Sequence, residues 1–330
     1  MRLLRGLAMV LVSGFLLLTG GTGYARAEQI AIAQEYGISY LPLTIMRVQD
    51  LLGKAGKAEG IDITTNWLTF TGGAPMNEAL ISGNLDIASG GVAPMLVLWD
   101  RTRGNMDVKA LAALGSMPLF LNTSDANVKT IKDFTDNDRI ALPAVKVSIQ
   151  AIILEMAAAQ TFGDDNFNKL NGLTVSMSHP DGLSSLLNGT AGITAHFTSA
   201  PFQYQELADP KIHKILDSYQ VLGGPHTFNV VWASKKFVDG NPKIVKAFMT
   251  ALGQAEAFII AHPTEAAKIY IADEKSKSSV QSIVSMIKDP QNVWTIKPQR
   301  IMEFAKFMQK TGLIKQVPAA TSDVFFQSSK

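Results

Sequence analysis

The 330-residue chain contains no cysteine. That absence excludes a disulfide framework, a thiolate metal site, a cysteine nucleophile and a lipid-attachment thiol. Long apolar runs are also scarce. The run Leu7 to Leu18 is short of the roughly 18 to 20 residues that cross a bilayer, and no later stretch is expected to span one. With Arg2 and Arg5 before it and Ala25-Arg26-Ala27 after it, the run has the charged, apolar and small-x-small parts of a secretory signal. We place cleavage before Glu28, so residues 1–27 are read as a signal peptide and the mature protein as exported and soluble.

A net basic charge is missing from what remains. The chain carries 30 Lys and Arg against 28 Asp and Glu, a formal +2. Without Arg2, Arg5 and Arg26 the basic total is 27 and the balance −1. Arg47, Arg101, Arg103, Arg139 and Arg300 are scattered, so nucleic acid is not an expected partner. His179, His196, His213, His226 and His262 lack His-x-x-x-His and His-Glu-x-x-His spacing, and no metal site is expected. There is no Gly-x-Ser-x-Gly elbow and no Gly-x-x-x-x-Gly-Lys phosphate loop, and no cofactor is expected.

The stretch Trp67 to Gly91 organises the rest. Ile61, Ile63 and Trp67 alternate with Asp62, Thr64 and Asn66, which predicts a half-buried strand leading into Gly72-Gly73. Pro75 suits a first helical position, and Met76, Ala79 and Leu80 make an apolar helix face. A strand-to-helix turn aims free N–H groups and the positive end of the helix dipole outward, a site for an anion or a polar ligand atom. The plain alternative is a tight turn with no ligand.

Around this stretch, strands and helices alternate. A strand at Gln29–Ala33 precedes one helix that opens at Pro42 and carries Ile45, Val48 and Leu52. A helix from Pro94 and a strand from Val108 to Leu114 follow. Near 115–118 a second α/β set begins, with a strand at Leu119–Asn122, a short helix at Lys129–Phe134, a strand at Arg139–Pro143, and a Ser148-capped helix ending at Gly163. Strands at Leu173–Met177 and Ile193–Phe197 come next, then the linker signal Leu222-Gly223-Gly224-Pro225. Beyond the strand Thr227–Ala233 the chain reads as helical, opening on Asn241-Pro242 as cap and first turn. The pattern predicts an α/β protein with mostly parallel sheets in two lobes: 28–117 plus 230–330, and 118–229, with hinges near 115–118 and 222–230.

The export signal, the first strand leading to Tyr36-Gly37 and Pro42, the run Gly72-Gly73-Ala74-Pro75 through Asp86-Ile87-Ala88, Thr130–Phe134 before Arg139-Ile140-Ala141, and Gly312-Leu313-Ile314 carry a resemblance. The whole mature chain resembles the periplasmic substrate-binding proteins of ABC importers, in the nitrate/sulfonate/taurine (NitT/TauT, SsuA/THI5-like) group. The resemblance implies the two-lobe type II fold, a ligand cleft between the lobes and hinge closure. It also implies a small-molecule ligand, an inner-membrane ABC permease as partner, a monomer, a periplasmic location and no enzymatic activity.

Carried over by position, the cleft would be lined by Tyr36, Tyr40, Thr71, Gly72, Gly73, Gly91 and Val92 from the first lobe. Lys146, Val147, Ser148, His196, Phe197 and Thr198 would come from the second, and Asn229 from beside the hinge. Members of the group often have an acidic residue in a segment like Ala195 to Pro201, where this chain has His196. Lys146 reads either as a point charge on the ligand or as a surface lysine, His196 as a contact or a hydrogen-bonded core histidine. Tyr36, Tyr40 and Phe197 read as stacking surfaces or core aromatics. No arginine sits at a predicted strand end, which favours a singly charged or neutral ligand, and a small organic anion such as a sulfonate or carboxylate is the expected class. Two alternatives stay open: a ligand sensor, and a secreted enzyme like the pyrimidine synthases of thiamine biosynthesis, which share the fold but carry a cysteine-rich motif that this chain lacks.

Overall fold

The computed structural model describes residues 28–327, and the signal-peptide assignment lies outside them. The chain opens with β1 (Glu28–Gln34), α1 (Leu41–Val48), α2 (Leu51–Ala58), β2 (Ile63–Thr69), α3 (Gly73–Ile81), β3 (Ala88–Gly91), α4 (Val92–Thr102) and β4 (Lys109–Ala113). A second α/β set follows: β5 (Phe120–Thr123), β6 (Ile140–Leu142), α5 (Ile149–Phe162), β7 (Thr174–Ser176), α6 (His179–Asn188), β8 (Ala195–Thr198), α7 (Phe202–Leu207), β9 (His213–Asp217) and α8 (Ser218–Leu222). The chain ends with β10 (Asn229–Ala233), α9 (Lys235–Gly240), α10 (Pro242–Ala261), α11 (Pro263–Glu274), α12 (Val280–Lys288) and α13 (Ile301–Lys310).

The sheets fall into two groups. β1 and β2 pair in parallel, and an Ile32–Ile87 bridge ties them to the order β3-β10-β4, in which β10 runs antiparallel to both neighbours. The other group is a five-stranded sheet, β7-β6-β8-β5-β9, in which β5 is antiparallel to β8 and β9. Both are more mixed than the expected parallel sheets, because β10 enters the first group from the second and β5 leaves in the opposite sense. Two adjacent segments join the groups. The Phe228 N–H donates to the Gly115 carbonyl (3.1 Å), the Leu114 N–H to the Asn229 carbonyl (2.9 Å), and Ser116 bridges both Thr227 and Val293. Gly115 has φ 129°, and a Cβ there would lie 2.7 Å from the Val293 carbonyl oxygen, so only glycine fits this crossing.

Local expectations failed where side chains compete with the backbone. The helix from Pro42 is split into α1 and α2 by Asp50 in the left-handed region (φ 50°), and Val48 is 49% exposed instead of facing the core. No helix forms at Lys129–Phe134, because the Asp133 carboxylate accepts the Lys129 and Thr130 N–H groups and holds a turn. Asn241 donates its side-chain amide to the Phe237 carbonyl and does not cap α10. Ser148 does cap α5, accepting from the Ala151 N–H, and Gly163 ends that helix. α3 opens at Gly73, two residues before Pro75.

One large apolar cluster passes from lobe to lobe through Val92, Ile149, Phe197, Trp232 and Phe304. A second lies under α1, α2 and α10 and includes Ile32, Leu43, Leu52 and Phe248. By length and composition α10, with 20 residues, could cross a membrane, contrary to the expectation from the sequence. Here it packs against α1 and α2 through Ile244, Phe248 and Leu252, while Ile260 is 63% exposed. If that face is a core face, Phe248→Ala should cost about 3 to 5 kcal/mol in urea unfolding. Ile260→Ala on the same helix should stay within about 0.5 kcal/mol of wild type, and equal costs would contradict the packing.

Candidate functional site

The two sheet groups meet at strand-to-helix turns, where side chains are missing. A Cβ on Gly72, between β2 and α3, would lie 3.1 Å from the Pro143 carbonyl oxygen of the second group. On Gly91, between β3 and α4, it would lie 2.9 Å from Ile149 Cγ2 at the start of α5. On Gly37 (φ 118°) it would lie 3.1 Å from the Ala200 carbonyl oxygen, and the neighbouring Ile38 N–H donates to that same oxygen at 3.0 Å. The starts of α3, α4 and α5 therefore face one boundary, with their dipoles and N–H groups directed toward it.

Behind the first wall lies a cluster of buried polar side chains that the sequence reading missed. Glu35, just past the end of β1, is 8% exposed, and Oε1 sits 2.9 Å from where a Gly90 Cβ would be and 3.7 Å from that of Gly73. Among the described residues neither carboxyl oxygen has a hydrogen bond, and burial pushes the group up to about 8. Burial and Glu35 push the Tyr40 phenol well up, while the Asn229 side chain pulls it back. The Asn229 amide donates to Ser39 Oγ (2.8 Å), but its own oxygen has no partner, nor has Trp232 Nε1. The available signal was position: Glu35 is the acidic residue at the end of the first apolar strand.

The second wall is backed by a buried chain of side chains. Gln150 Nε2 lies 3.3 Å from His179 Nε2, and His179 Nδ1 is 2.9 Å from Thr198 Oγ1 and 3.4 Å from His196 Nε2. His196 Nδ1 is 2.5 Å from Glu206 Oε1, and Asn122 donates to Glu206 Oε2 (2.8 Å). One hydrogen-bond arrangement serves this chain: Gln150 donates to a neutral His179, whose Nδ1–H points at Thr198 and His196, and His196 Nδ1 pairs with Glu206 Oε1. Gly182 makes room for it, since a Cβ there would fall 2.5 Å from His196 Nε2. His179 looked isolated in sequence; α6 brings it to His196 and stacks it on Phe202 (5.5 Å between centroids).

The other expected site residues separate. Gly72, Gly73, Gly91, Ser148 and Asn229 lie buried at or beside the boundary, and Val92 does too, with its N–H taken by the Phe228 carbonyl (3.1 Å). Tyr40 is buried among Ile30, Ile32 and Leu43. Tyr36 is half-buried and lines a groove of about 630 Å³ with Pro180, Phe202, Tyr270 and Glu274. Thr71 and Lys146 are exposed, Val147 is half-buried, and the Lys146 charge acts on Glu155. His196 and Thr198 share one face of β8 and touch His179, whereas Phe197 on the other face is core.

Burial and the neighbouring His196 hold His179 well below its ordinary value of 6.5. The folded state thus binds fewer protons there than the unfolded state, so this group's stabilisation is present above pH 6.5 and is lost as pH falls. From pH 7.5 to 5.5 the wild type should lose about 1.4 kcal/mol more in urea unfolding than His179→Gln. Equal losses would mean that His179 is protonated in the folded protein.

Among known proteins, the NMT1/THI5-like family matches residues 56–266. Comparison with curated proteins gives no match. The structure is similar to the alkanesulfonate-binding protein SsuA from Xanthomonas axonopodis pv. citri bound to MOPS, with a TM-score of 0.70 and 16% identity over 91% of this chain and 99% of that one. It is similar to the periplasmic aliphatic sulphonate binding protein SsuA from Escherichia coli, with a TM-score of 0.65 and 17% identity over 92% and 94%. The periplasmic nitrate-binding protein NrtA from Synechocystis PCC 6803 is similar too, with a TM-score of 0.65 and 16% identity over 90% and 84%. The family match covers more than half of the chain, and these likenesses carry the architecture: the chain belongs to the NMT1/THI5-like family and has the two-lobed periplasmic binding protein fold.

Proposed function

We propose that this protein is the exported, periplasmic solute-binding component of an ABC importer, a monomer that captures a small organic anion and delivers it to an inner-membrane permease. The observation that carries this reading is the meeting of α3, α4 and α5 starts from two lobes across one boundary. Such a boundary offers backbone donors and dipole ends from both sides to a bound anion, and no arginine or lysine is needed there. The alkanesulfonate-binding and nitrate-binding proteins of the same fold make a sulfonate, carboxylate or similar anion the favoured class. The lobes are assigned as 28–117 plus 230–330 and 118–229, with the paired segments near 115–118 and 222–230 as hinges.

The mechanism is closure. Ligand contacts from both lobes exist together only when the lobes touch, so binding shifts the population toward the closed form that the permease reads. The protein is read as a binder and not an enzyme: mixing it with sulfonates, nitrate, aromatic carboxylates and nucleobases should raise the melting temperature for one class without consuming it.

Gly91→Val should act as a wedge, because φ −59° accepts a side chain but Ile149 stands in its way. Affinity for the ligand found in that screen should fall at least tenfold in calorimetry, and the radius of gyration with ligand should stay at the ligand-free value. Wild-type affinity in this variant would show that the ligand is not held at this boundary.

A further inference from the structure

Glu35 is the buried group that the reading above leaves without work. It stands between the turns that open α3 and α4, 2.9 Å from the Gly90 Cβ position and 3.7 Å from that of Gly73, with 8% of its surface exposed. No described residue gives it a hydrogen bond or an ion pair. We propose that Glu35 takes part in ligand capture as the neutral acid, donating its carboxyl hydrogen to the bound anion between the Gly72–Gly73 and Gly90–Gly91 turns. This rests on the reading of the boundary as an anion site.

The chemistry follows from the surroundings. A protonated carboxyl has one donor to place, and a buried donor without an acceptor is costly. An anion drawn to the starts of α3 and α4 supplies that acceptor, whereas an ionised Glu35 would repel it at close range in a low dielectric. The titratable neighbour on the same lobe is Tyr40, itself held neutral by burial. The glycines, Pro94 and Trp232 packed around the carboxyl bring no charge. Across the boundary, Ser148 and Ile149 at the start of α5 are uncharged, Lys146 acts on Glu155, and His179 is held neutral behind Gln150. Burial that pushes Glu35 up to about 8 keeps the acid form at neutral pH. The proton stays on Glu35 throughout, and none is transferred to the ligand.

The test is calorimetric titration of the mature protein with methanesulfonate, ethanesulfonate, benzenesulfonate, benzoate and nitrate from pH 6.5 to 9.5. Wild-type affinity for the best binder should be level below about 8 and then fall toward tenfold per pH unit. Glu35→Gln, which keeps a neutral donor, should bind within tenfold of wild type at pH 6.5 and show no fall, while Glu35→Ala should bind more than tenfold below wild type at pH 6.5 and likewise show no fall. Should the variants fold poorly, wild-type titrations at pH 9 in buffers of different ionisation enthalpy should reveal net proton uptake on binding. Affinity that is level or rises with pH, or binding without proton uptake at pH 9, overturns the proposal and leaves the anion site standing. No binding by any of the five anions at any pH overturns both.

Discussion

The structure depends on how closely two lobes can approach when the residues between them have no side chains. Gly37 against Ala200, Gly72 against Pro143 and Gly91 against Ile149 bring main chain or a single methyl to contact distance. The attraction at these points is small. A hydrogen bond from Ile38 to Ala200 crosses there, worth about 1 kcal/mol net. The Lys310–Asp164 pair at 2.5 Å lies in solvent, where an ion pair contributes on the order of 0 to 1 kcal/mol, and the Gln205–Ser278 bond at 2.8 Å is half-buried. The polar ties here are weak and the apolar cluster shared by both lobes carries more of the contact; a ligand biases such a boundary only by its differential affinity for the two states. The two walls provide that leverage only because glycine removes the bulk that would hold them apart.

The walls differ in how their polar groups are satisfied. On the second lobe, Gln150, His179, Thr198, His196, Glu206 and Asn122 hand hydrogen bonds along an unbroken chain, which fixes β8 against α6 and α7. On the first, the Asn229 oxygen and Trp232 Nε1 are buried with nothing to bond, and Glu35, 8% exposed, has no hydrogen-bond partner among the described residues. Buried polar atoms are normally paired, and each orphan costs free energy until something completes it. Open valences remain on both walls, since Asn122 Oδ1 and Ser199 Oγ are unpaired on the second as well, but there the two histidines and Glu206 are linked in one hydrogen-bonded chain.

What the sequence made legible was the framework. The glycine turns around Trp67 to Gly91, the Ser148 cap and the Gly163 stop each depend on a residue's own backbone chemistry, and each appears where the spacing put it. Long-range pairing was not legible. Nothing within a few residues of His179 announces that β8 will deliver His196 to it from 17 positions away, and Gly182, which permits the approach, reads alone as a helix defect. The split at Asp50 and the turn at Asp133 were missed for another reason. There a short acidic residue changed the local backbone, by a left-handed φ in one case and by carboxylate hydrogen bonds in the other, against an apolar pattern that suited a helix.

The fate of Lys146 explains how such a site can do without a cation. The residue sits at the turn before α5 with φ 67°, but its side chain is exposed and its charge acts on Glu155. Turned inward, an ammonium with no bound partner would sit against the buried starts of three helices, where the N–H ends already carry positive charge. It would pay desolvation as well as repulsion whenever the cleft closed empty. Helix starts carry partial charges that are fixed by the backbone and need no counter-ion when the site is vacant. A neutral acid such as Glu35 beside them would add a donor without adding charge, which suits the proposed capture of an anion.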